Sequence, residues 1–247
     1  VNITTDSPER HTGGTRGLFV GGRNPANSDT IDFVSIDTTG NAVDFGNRLE
    51  AGRQGGATGS RVRGVICGRP APLHSNVIEF LTFASQGNTQ DFGDSTNTRA
   101  GAPMSVSNGT RGVFAGGTVD ASDNVGNIID YVTIAQTGNA VDFGDLITGH
   151  SDGGRAQSKT RGVIVGGRGP DASTKLNVME YITISTLGNG SNFGDLTLGR
   201  NEIAADSNAV RGIFAGGNSD SAQSVIDFIT IATLANATDF GDISSNA

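Results

Sequence analysis

Short apolar runs recur along the chain at nearly constant spacing. Each begins with an Arg-Gly pair that is followed by three apolar residues and a glycine. The pairs start at Arg16, Arg63, Arg111, Arg161 and Arg211, at intervals of 47, 48, 50 and 50 residues. Self-similarity at a period of this length is typical of repeat architectures, so the pattern predicts five copies of one structural unit.

Two further signatures follow each Arg-Gly run in the same order. The first is a β-branched and aromatic run with an acid at its second position, and the second is an Asp-Phe-Gly segment, which is Asn-Phe-Gly in the fourth unit. The acids are Asp32, Glu79, Asp130, Glu180 and Asp227. Such runs favour β-strands, and residues 31–36 place large apolar side chains on both faces. A strand of this kind belongs to a sheet packed between two others.

Each unit is therefore interpreted as four strands, because a more polar segment before each Arg-Gly run supplies the fourth. Four strands in about 50 residues form one blade of a β-propeller. The sequence predicts an all-β fold, a single five-bladed β-propeller of four-stranded antiparallel blades over residues 1–247. The approximate repeats are 1–46, 47–93, 94–144, 145–194 and 195–247. We expect the termini to lie side by side and close the ring; pairing of Ile3 and Thr4 with the strand around Phe240 stays open.

The order of these signatures resembles the Kelch-type β-propeller repeat over the whole chain. As in that repeat, a doubled glycine follows the apolar strand in four units, and an acidic-aromatic pair and a closing aromatic strand come after it. The doubled glycines begin at Gly21, Gly116, Gly166 and Gly216. The chain departs from the pattern where Phe stands in place of the usual Trp, and where Gly68-Arg69 replaces the doubled glycine.

The amino-acid sequence of the repeat, as in residues 30–46, also resembles repeats of structural and tail-associated proteins of marine bacteriophages. This resemblance implies a place on a virion or outside the cell. It also implies contacts with neighbouring virion proteins or with the host surface.

Composition and charge narrow the classes of partner. The chain has 38 glycines and only 17% charged residues, which indicates many tight turns. Its net charge of −8 argues against nucleic acid and anionic membrane surfaces, which clustered Lys and Arg would bind. One cysteine excludes an intrachain disulfide, and with three scattered histidines it predicts no metal and no cofactor. No apolar run approaches the length of a membrane span, and no signal-like N-terminus is present, so we expect no membrane insertion.

The repeated charged residues are interpreted as structural. The Asp-Phe-Gly segment lacks the catalytic loop of a kinase, and it recurs in almost every unit, so its Phe is expected in the core between blades. The arginines of the Arg-Gly pairs and the acids of the next signature also recur once per unit. Because a charge on a buried strand needs a partner, each acid is predicted to meet an arginine or backbone amides.

The cysteine, the histidines and one pair of aspartates do not form a recognisable catalytic or metal site in the sequence. Cys67 occupies a small apolar position of the repeat and is expected to be a packing residue, not a nucleophile. His11, His74 and His150 fall at different phases of the repeat, which argues against a shared metal site or a catalytic triad. Asp120 and Asp123 lack the rest of a calcium ligand set.

Four basic residues form the candidate ligand site. Arg99, His150 and Arg200 each come five residues after an Asp, and Arg53 lies one residue later in phase. The Kelch resemblance implies an Arg near the channel mouth, where a ring of donors would hold an anionic or hydroxyl-rich ligand. The alternative is that these residues pair with acidic side chains of the protein itself.

Three functions remain open at this stage. A non-enzymatic structural or recognition module agrees best with near-identical blades, and the variable loops between the first two signatures are the expected recognition surface. A lectin with repeated pockets is the alternative. A carbohydrate-active enzyme is disfavoured: a glycosidase needs a carboxylate pair in the central pocket. A copper oxidase of the Kelch type would need tyrosine at the channel, whereas Tyr131 and Tyr181 occupy the repeated core position.

Overall fold

The chain folds into five antiparallel sheets of four strands, arranged as the blades of a β-propeller. The computed structural model describes residues 2–3, 15–23, 25–68, 75–99, 101, 103–120, 122, 124–171 and 173–245, and no helix occurs among them. Expectations that involve Thr4, His11, Arg69, His74 and Asp123 fall outside these residues. The predicted fold class is confirmed.

Each blade is built from four strands that are consecutive in the sequence. The first blade contains β1 (Asn2–Ile3), β2 (Arg16–Arg23), β3 (Asn27–Ser35) and β4 (Val43–Asn47). The second contains β5 (Gly56–Gly59), β6 (Arg63–Cys67), β7 (Ser75–Thr82) and β8 (Gln90–Arg99), and the third contains β9 (Met104–Ser107), β10 (Arg111–Ala115), β11 (Ile128–Thr133) and β12 (Val141–Asp145). The fourth contains β13 (Gly154–Gln157), β14 (Arg161–Arg168), β15 (Lys175–Thr183) and β16 (Ser191–Asp195), and the fifth contains β17 (Ala204–Ser207), β18 (Arg211–Ala215), β19 (Val225–Thr230) and β20 (Thr238–Asp242).

The strand order within a blade follows from the sequence signatures. The Arg-Gly run forms the second strand, the acidic-aromatic run forms the third, and the Asp-Phe-Gly segment forms the fourth. The first strands of successive blades contact one another, which places them nearest the axis. In β1, Ile3 pairs with Leu18 of β2, and among the described residues no strand pairing joins β1 to the strand around Phe240, which the sequence had left open.

A β-bulge interrupts the pairing of the third and fourth strands at the same place in every blade. In the first blade Ile31 pairs with Gly46 and Asp32 pairs with Asp44, which leaves Phe45 as the extra residue. Gly46 has a φ of 148°, a conformation that a glycine adopts without a side-chain clash. The bulge bends the strand locally, and Phe45 packs in the core against the second blade.

Hydrophobic cores fill the spaces between successive blades. Between the first two blades, Leu18, Ile31 and Phe45 pack against Leu81 and Phe83. In the first four units the phenylalanine of the Asp-Phe-Gly segment is only 2–3% exposed. Its predicted place in the core between blades is confirmed for these units.

This packing stops between the fifth blade and the first. Phe240 is 52% exposed, and Phe19 and Ile36 of the first blade are 50% and 63% exposed, whereas their counterparts in the other blades are at most 4% exposed. Among the residues that the structure describes, no hydrogen bond joins these two blades. The direct ring closure expected from the sequence is therefore absent from the described contacts, because five repeats define five blades without fixing the angle between them.

Candidate functional site

The acids of the second signature lie against basic residues across the interfaces between blades, and in three of the four interfaces the contact is an ion pair with arginine. A basic residue at the end of the fourth strand of one blade, or shortly after it, contacts the acid on the third strand of the next blade. The four contacts are Arg48 with Glu79, Arg99 with Asp130, His150 with Glu180, and Arg200 with Asp227. All eight side chains are buried, which places these charges inside the frame of the propeller.

Arg99 and Arg200 have nearly equivalent surroundings. Arg99 Nη2 donates to Asp130 Oδ2 at 2.8 Å, and its Nη1 donates to the Gly116 carbonyl. Arg200 Nη1 donates to Asp227 Oδ2 at 2.9 Å, while its Nε and Nη2 donate to backbone carbonyls of the fifth blade. At 1% and 0% exposure, these two guanidinium groups bind protein acceptors. This is the pairing alternative that the sequence offered for them.

The first interface uses a residue that the sequence analysis missed. Arg48 donates through Nε and Nη2 to Glu79 Oε1 at 2.9 and 2.5 Å. Leu49 N and Thr89 Oγ1 donate to Glu79 Oε2, which completes the set of partners of this carboxylate. Arg48 lies three residues after Phe45, whereas Arg99 lies seven residues after Phe92, so the repeat phase pointed to the neighbouring Arg53 instead.

Arg53 is partly buried, and its Nε has no hydrogen-bond partner in the structure. Among the four residues of the predicted ligand site, Arg53 is therefore the one that contacts no acid of the next blade in the described structure. The four predicted ligand residues thus differ in environment, and three of them, Arg99, His150 and Arg200, lie in the interior.

The third interface carries His150 in place of arginine. Burial lowers the pKa of His150, and its Nδ1 contacts the Gly166 carbonyl. Its Nε2 lies 4.0 Å from Glu180 Oε1 and makes no hydrogen bond. Burial raises the pKa of Glu180, while amides of Ile147 and Thr148, donating at 2.7 and 3.0 Å, oppose that rise. The carboxylate is held mainly by backbone amides, one of the two kinds of partner predicted for these acids.

The prediction of a partner for each acid is confirmed in four blades and fails in the first. Asp32 is half-buried, and among the described residues its carboxylate has no hydrogen bond or ion pair. Its partner would come from a preceding blade, and the fifth blade does not supply one. The physical reason is the same missing contact that leaves Phe19 exposed.

The arginines of the Arg-Gly pairs have a second structural role. Each guanidinium stacks over the aromatic ring of the neighbouring strand, at 4.2–4.9 Å from the ring centroid. In the first four blades Nη1 also donates to a carbonyl of the next blade, at 2.6–3.0 Å. Arg211 of the fifth blade makes only the ring contact, because no carbonyl acceptor is described for its guanidinium. Tyr131 and Tyr181 lie under Arg111 and Arg161 in this arrangement.

Cys67 is fully buried in the core between the second and third blades. Burial raises the pKa of its thiol to about 11, with Arg99 opposing the rise. The environment agrees with a packing residue, because the thiolate is the reactive form of cysteine.

Iodoacetamide is expected to label Cys67 very slowly in the native chain at pH 8. On the order of one thiol in a thousand is ionised there, and the sulfur is inaccessible. Intact-mass spectrometry after labelling in buffer and in concentrated urea measures the effect, with glutathione as the accessible control. Complete labelling of the native chain at the rate of glutathione would show that the site is open.

Variable loops cover the end of the propeller where the second and third strands connect. We define the loop face as residues 116–120, 122, 124–127, 169–171, 173–174 and 216–224. Its turns are stabilised from within: Asp120 accepts hydrogen bonds from the amides of Ser122 and Asn124, and Asp171 accepts them from Ser173 and Thr174. The bonds from Thr174 lower the pKa of Asp171. These loops differ in length and sequence, whereas the frame beneath them repeats.

Left-handed backbone conformations recur in the connections between blades, on the same end of the propeller. Gln54, Asp152 and Glu202 have φ values of 54°, 56° and 55° and lie at equivalent positions of their repeats. Glu202 N donates to the Asp152 carbonyl, which links two of these connections. Nothing in the hydrophobic pattern indicated them, because non-glycine residues in this conformation carry no consistent signature in sequence.

The described residues form no further site of defined chemistry. Among the described residues no group of three or more His, Cys, Asp or Glu is placed to hold a metal ion. A cavity of about 250 Å³ lies between the first two blades, and Arg48 and Glu79 in its wall are already paired. No helix in the described part of the chain has the length and apolarity to cross a membrane.

Comparison with known proteins supports the fold and leaves the function open. No protein-family model matches the chain, and no curated protein matches it. A solved structure described as "Structure of YjhT" is similar to this chain, with a TM-score of 0.77 and 9% sequence identity. The match covers 99% of this chain and 84% of that one. The chain therefore has a propeller fold that has already been solved in a protein of very different sequence.

Proposed function

We propose that this propeller is a non-enzymatic structural or recognition module that presents its loop face to a protein partner. The single observation that carries the proposal is the use of the repeated acids inside the frame: three of them pair with arginines across the blade interfaces, and Glu180 accepts hydrogen bonds from backbone amides of the preceding blade. A rigid frame with variable polar loops at one end is an arrangement suited to recognition. The Kelch-like order of the signatures agrees with this role.

The partner is proposed to be a neighbouring protein of the same assembly or a host-surface protein, on a virion or otherwise outside the cell. The resemblance of the repeat wording to phage structural and tail-associated proteins supports that setting. A net charge of −8 favours a partner with basic or neutral contact surfaces. A ring of open basic donors would have favoured the lectin alternative, but Arg99 and Arg200 donate to acceptors of the protein itself.

The loops allow a direct test, because equivalent β-bridges in two blades enclose loops of different length. Thr118 bridges Val125 in the third blade, and Asn218 bridges Ala222 in the fifth. Replacing residues 118–125 with the sequence of residues 218–222 keeps the bridge and removes the longer loop. We expect this exchange to weaken binding to intact bacterial cells at least about tenfold, the effect of losing a central contact.

The matched control is Gln136→Ala, an exposed change at the opposite end of the same blade. Both variants are expected to unfold at the temperature of the unmodified chain. Binding to a glycan array that survives the loop exchange would contradict the proposal in favour of the lectin. Equal cell binding by all three proteins would show that the loop face is not the contact surface.

A further inference from the structure

The four interfaces between successive blades are built from one set of contacts. Each has the phenylalanine of an Asp-Phe-Gly segment in its core, a clamp from an Arg-Gly arginine to a carbonyl, and a buried acid that meets a basic residue. An asparagine of the following blade also caps the amide that comes after the Asp-Phe-Gly glycine. Each interface therefore has a donor half on one blade and an acceptor half on the next.

The fifth blade carries the phenylalanine and the Arg-Gly arginine of a donor half, with Ala247 in the sequence where the fourth unit has Arg200, and no described residue is hydrogen-bonded across this face. Phe240 is 52% exposed, and Arg211 stacks on Phe228 without a described carbonyl acceptor. A side chain added at Gly241 would meet no atom within 4 Å, whereas one added at the equivalent Gly93 would lie 2.5 Å from Gly138. The fifth blade thus ends in an exposed apolar face, beside a guanidinium that has no carbonyl acceptor among the described residues.

The first blade carries the matching acceptor half, which meets no partner among the described residues. Phe19 and Ile36 are exposed, and the Asp32 carboxylate has no partner among the described residues. Asn41 stands at the position of the capping asparagines and is exposed as well. The two halves have complementary chemistry, but no described hydrogen bond joins them.

We infer that one further blade of this same repeat occupies the space between the fifth blade and the first. Such a blade has an acceptor half on one side and a donor half on the other, so it satisfies both open faces at once. It would bring a carbonyl to Arg211, apolar contacts to Phe240 and Phe19, and a basic residue to Asp32. The similar solved structure agrees in size, since the match leaves 16% of it uncovered, about the share of one blade in six.

A second copy of the chain is a poorer occupant of this space. It would dock its first blade on the fifth blade of its neighbour, and each such contact would leave two other halves open. Heterologous contacts of this kind close into rings only when the rotation permits, and otherwise extend into filaments. A single blade contacts both exposed faces at once.

The test adds one period of the repeat to the full chain. A second copy of residues 151–200, fused after residue 247, supplies four strands and ends in an arginine equivalent to Arg200. We expect the fusion to be monomeric, to unfold at a higher temperature, and to slow hydrogen exchange of the β20 amides at least about tenfold. In the fusion, but not in the 247-residue chain, Asp32→Ala is expected to lower the unfolding temperature.

A matched fusion separates the specific contact from mere lengthening. Replacing the terminal arginine of the added segment with methionine should abolish the effect of Asp32→Ala and keep the added blade folded. A second fusion adds residues 101–150 in place of residues 151–200. It shows whether a failure of the first fusion comes from misfolding at its particular junction. Free exchange of the added blade in both fusions overturns the inference. So does concentration-dependent assembly of the 247-residue chain that protects β20 equally, because a second copy would then be the occupant.

Discussion

Asp130→Ala is expected to lower the free energy of unfolding by about 3–5 kcal/mol, because it leaves Arg99 as an unpaired charge inside an interface between blades. Asp130 is 0% exposed and accepts hydrogen bonds from Arg99 and Thr96. When one partner of a buried pair is removed, the other charge stays buried and the free-energy cost of its desolvation is no longer offset. Urea unfolding followed by circular dichroism measures the loss.

The repeat provides the control for this prediction at its own equivalent position. Asp32→Ala removes the same carboxylate from the same strand position, where it is half-buried and has no described partner. Its effect on the free energy of unfolding is expected within about 0.5 kcal/mol, as for most changes without a broken contact. Equal losses for the two variants would show that the carboxylate stabilises the strand itself and that the ion pair contributes little.

Gly93→Ala is expected to lower the free energy of unfolding by about 3–5 kcal/mol, through backbone strain and overpacking. Gly93 has a φ of 142°, and a β-carbon there would lie 2.5 Å from backbone atoms of Gly138 in the next blade. Backbone atoms move only if the blades separate, so the clash falls on the interface. The same urea titration measures it.

Gly241→Ala isolates the conformational part of that cost. Gly241 has a φ of 137° and no atom within 4 Å of the added β-carbon. We expect this variant to lose about 1–3 kcal/mol from strain alone. The difference between the two variants then measures how tightly two blades approach. If Gly241→Ala is as costly as Gly93→Ala, the fifth blade has a neighbour in solution.

The fold was predictable because each unit repeats three signatures whose strand propensities agree. The apolar run, the acidic-aromatic run and the Asp-Phe-Gly segment became the second, third and fourth strands of every blade. The pairing of the acids also followed from elementary electrostatics, since a charge on a strand buried on both faces requires a partner. Neither conclusion needed knowledge of how the blades are arranged around the axis.

The rest depended on distances across interfaces, which a periodic sequence does not encode. Arg48, which contacts Glu79, lies at a different position of the repeat from Arg99 and Arg200. The repeat pattern therefore pointed to Arg53 instead. Whether Arg99 faces the channel or folds back depends on where the next blade places Asp130. The angle between blades is likewise set by packing, which is why the exposure of Phe19 and Phe240 was not anticipated.

The ion pairs between blades have a consequence for how such genes change. Each basic residue belongs to one repeat and its acid to the next, always in the same order along the chain. Unequal recombination that deletes or duplicates a whole period therefore brings a basic residue of one unit to the acid of its new neighbour. No junction is left with two like charges facing each other. Loss or gain of a whole unit would thus preserve the alternation of basic and acidic residues along the chain.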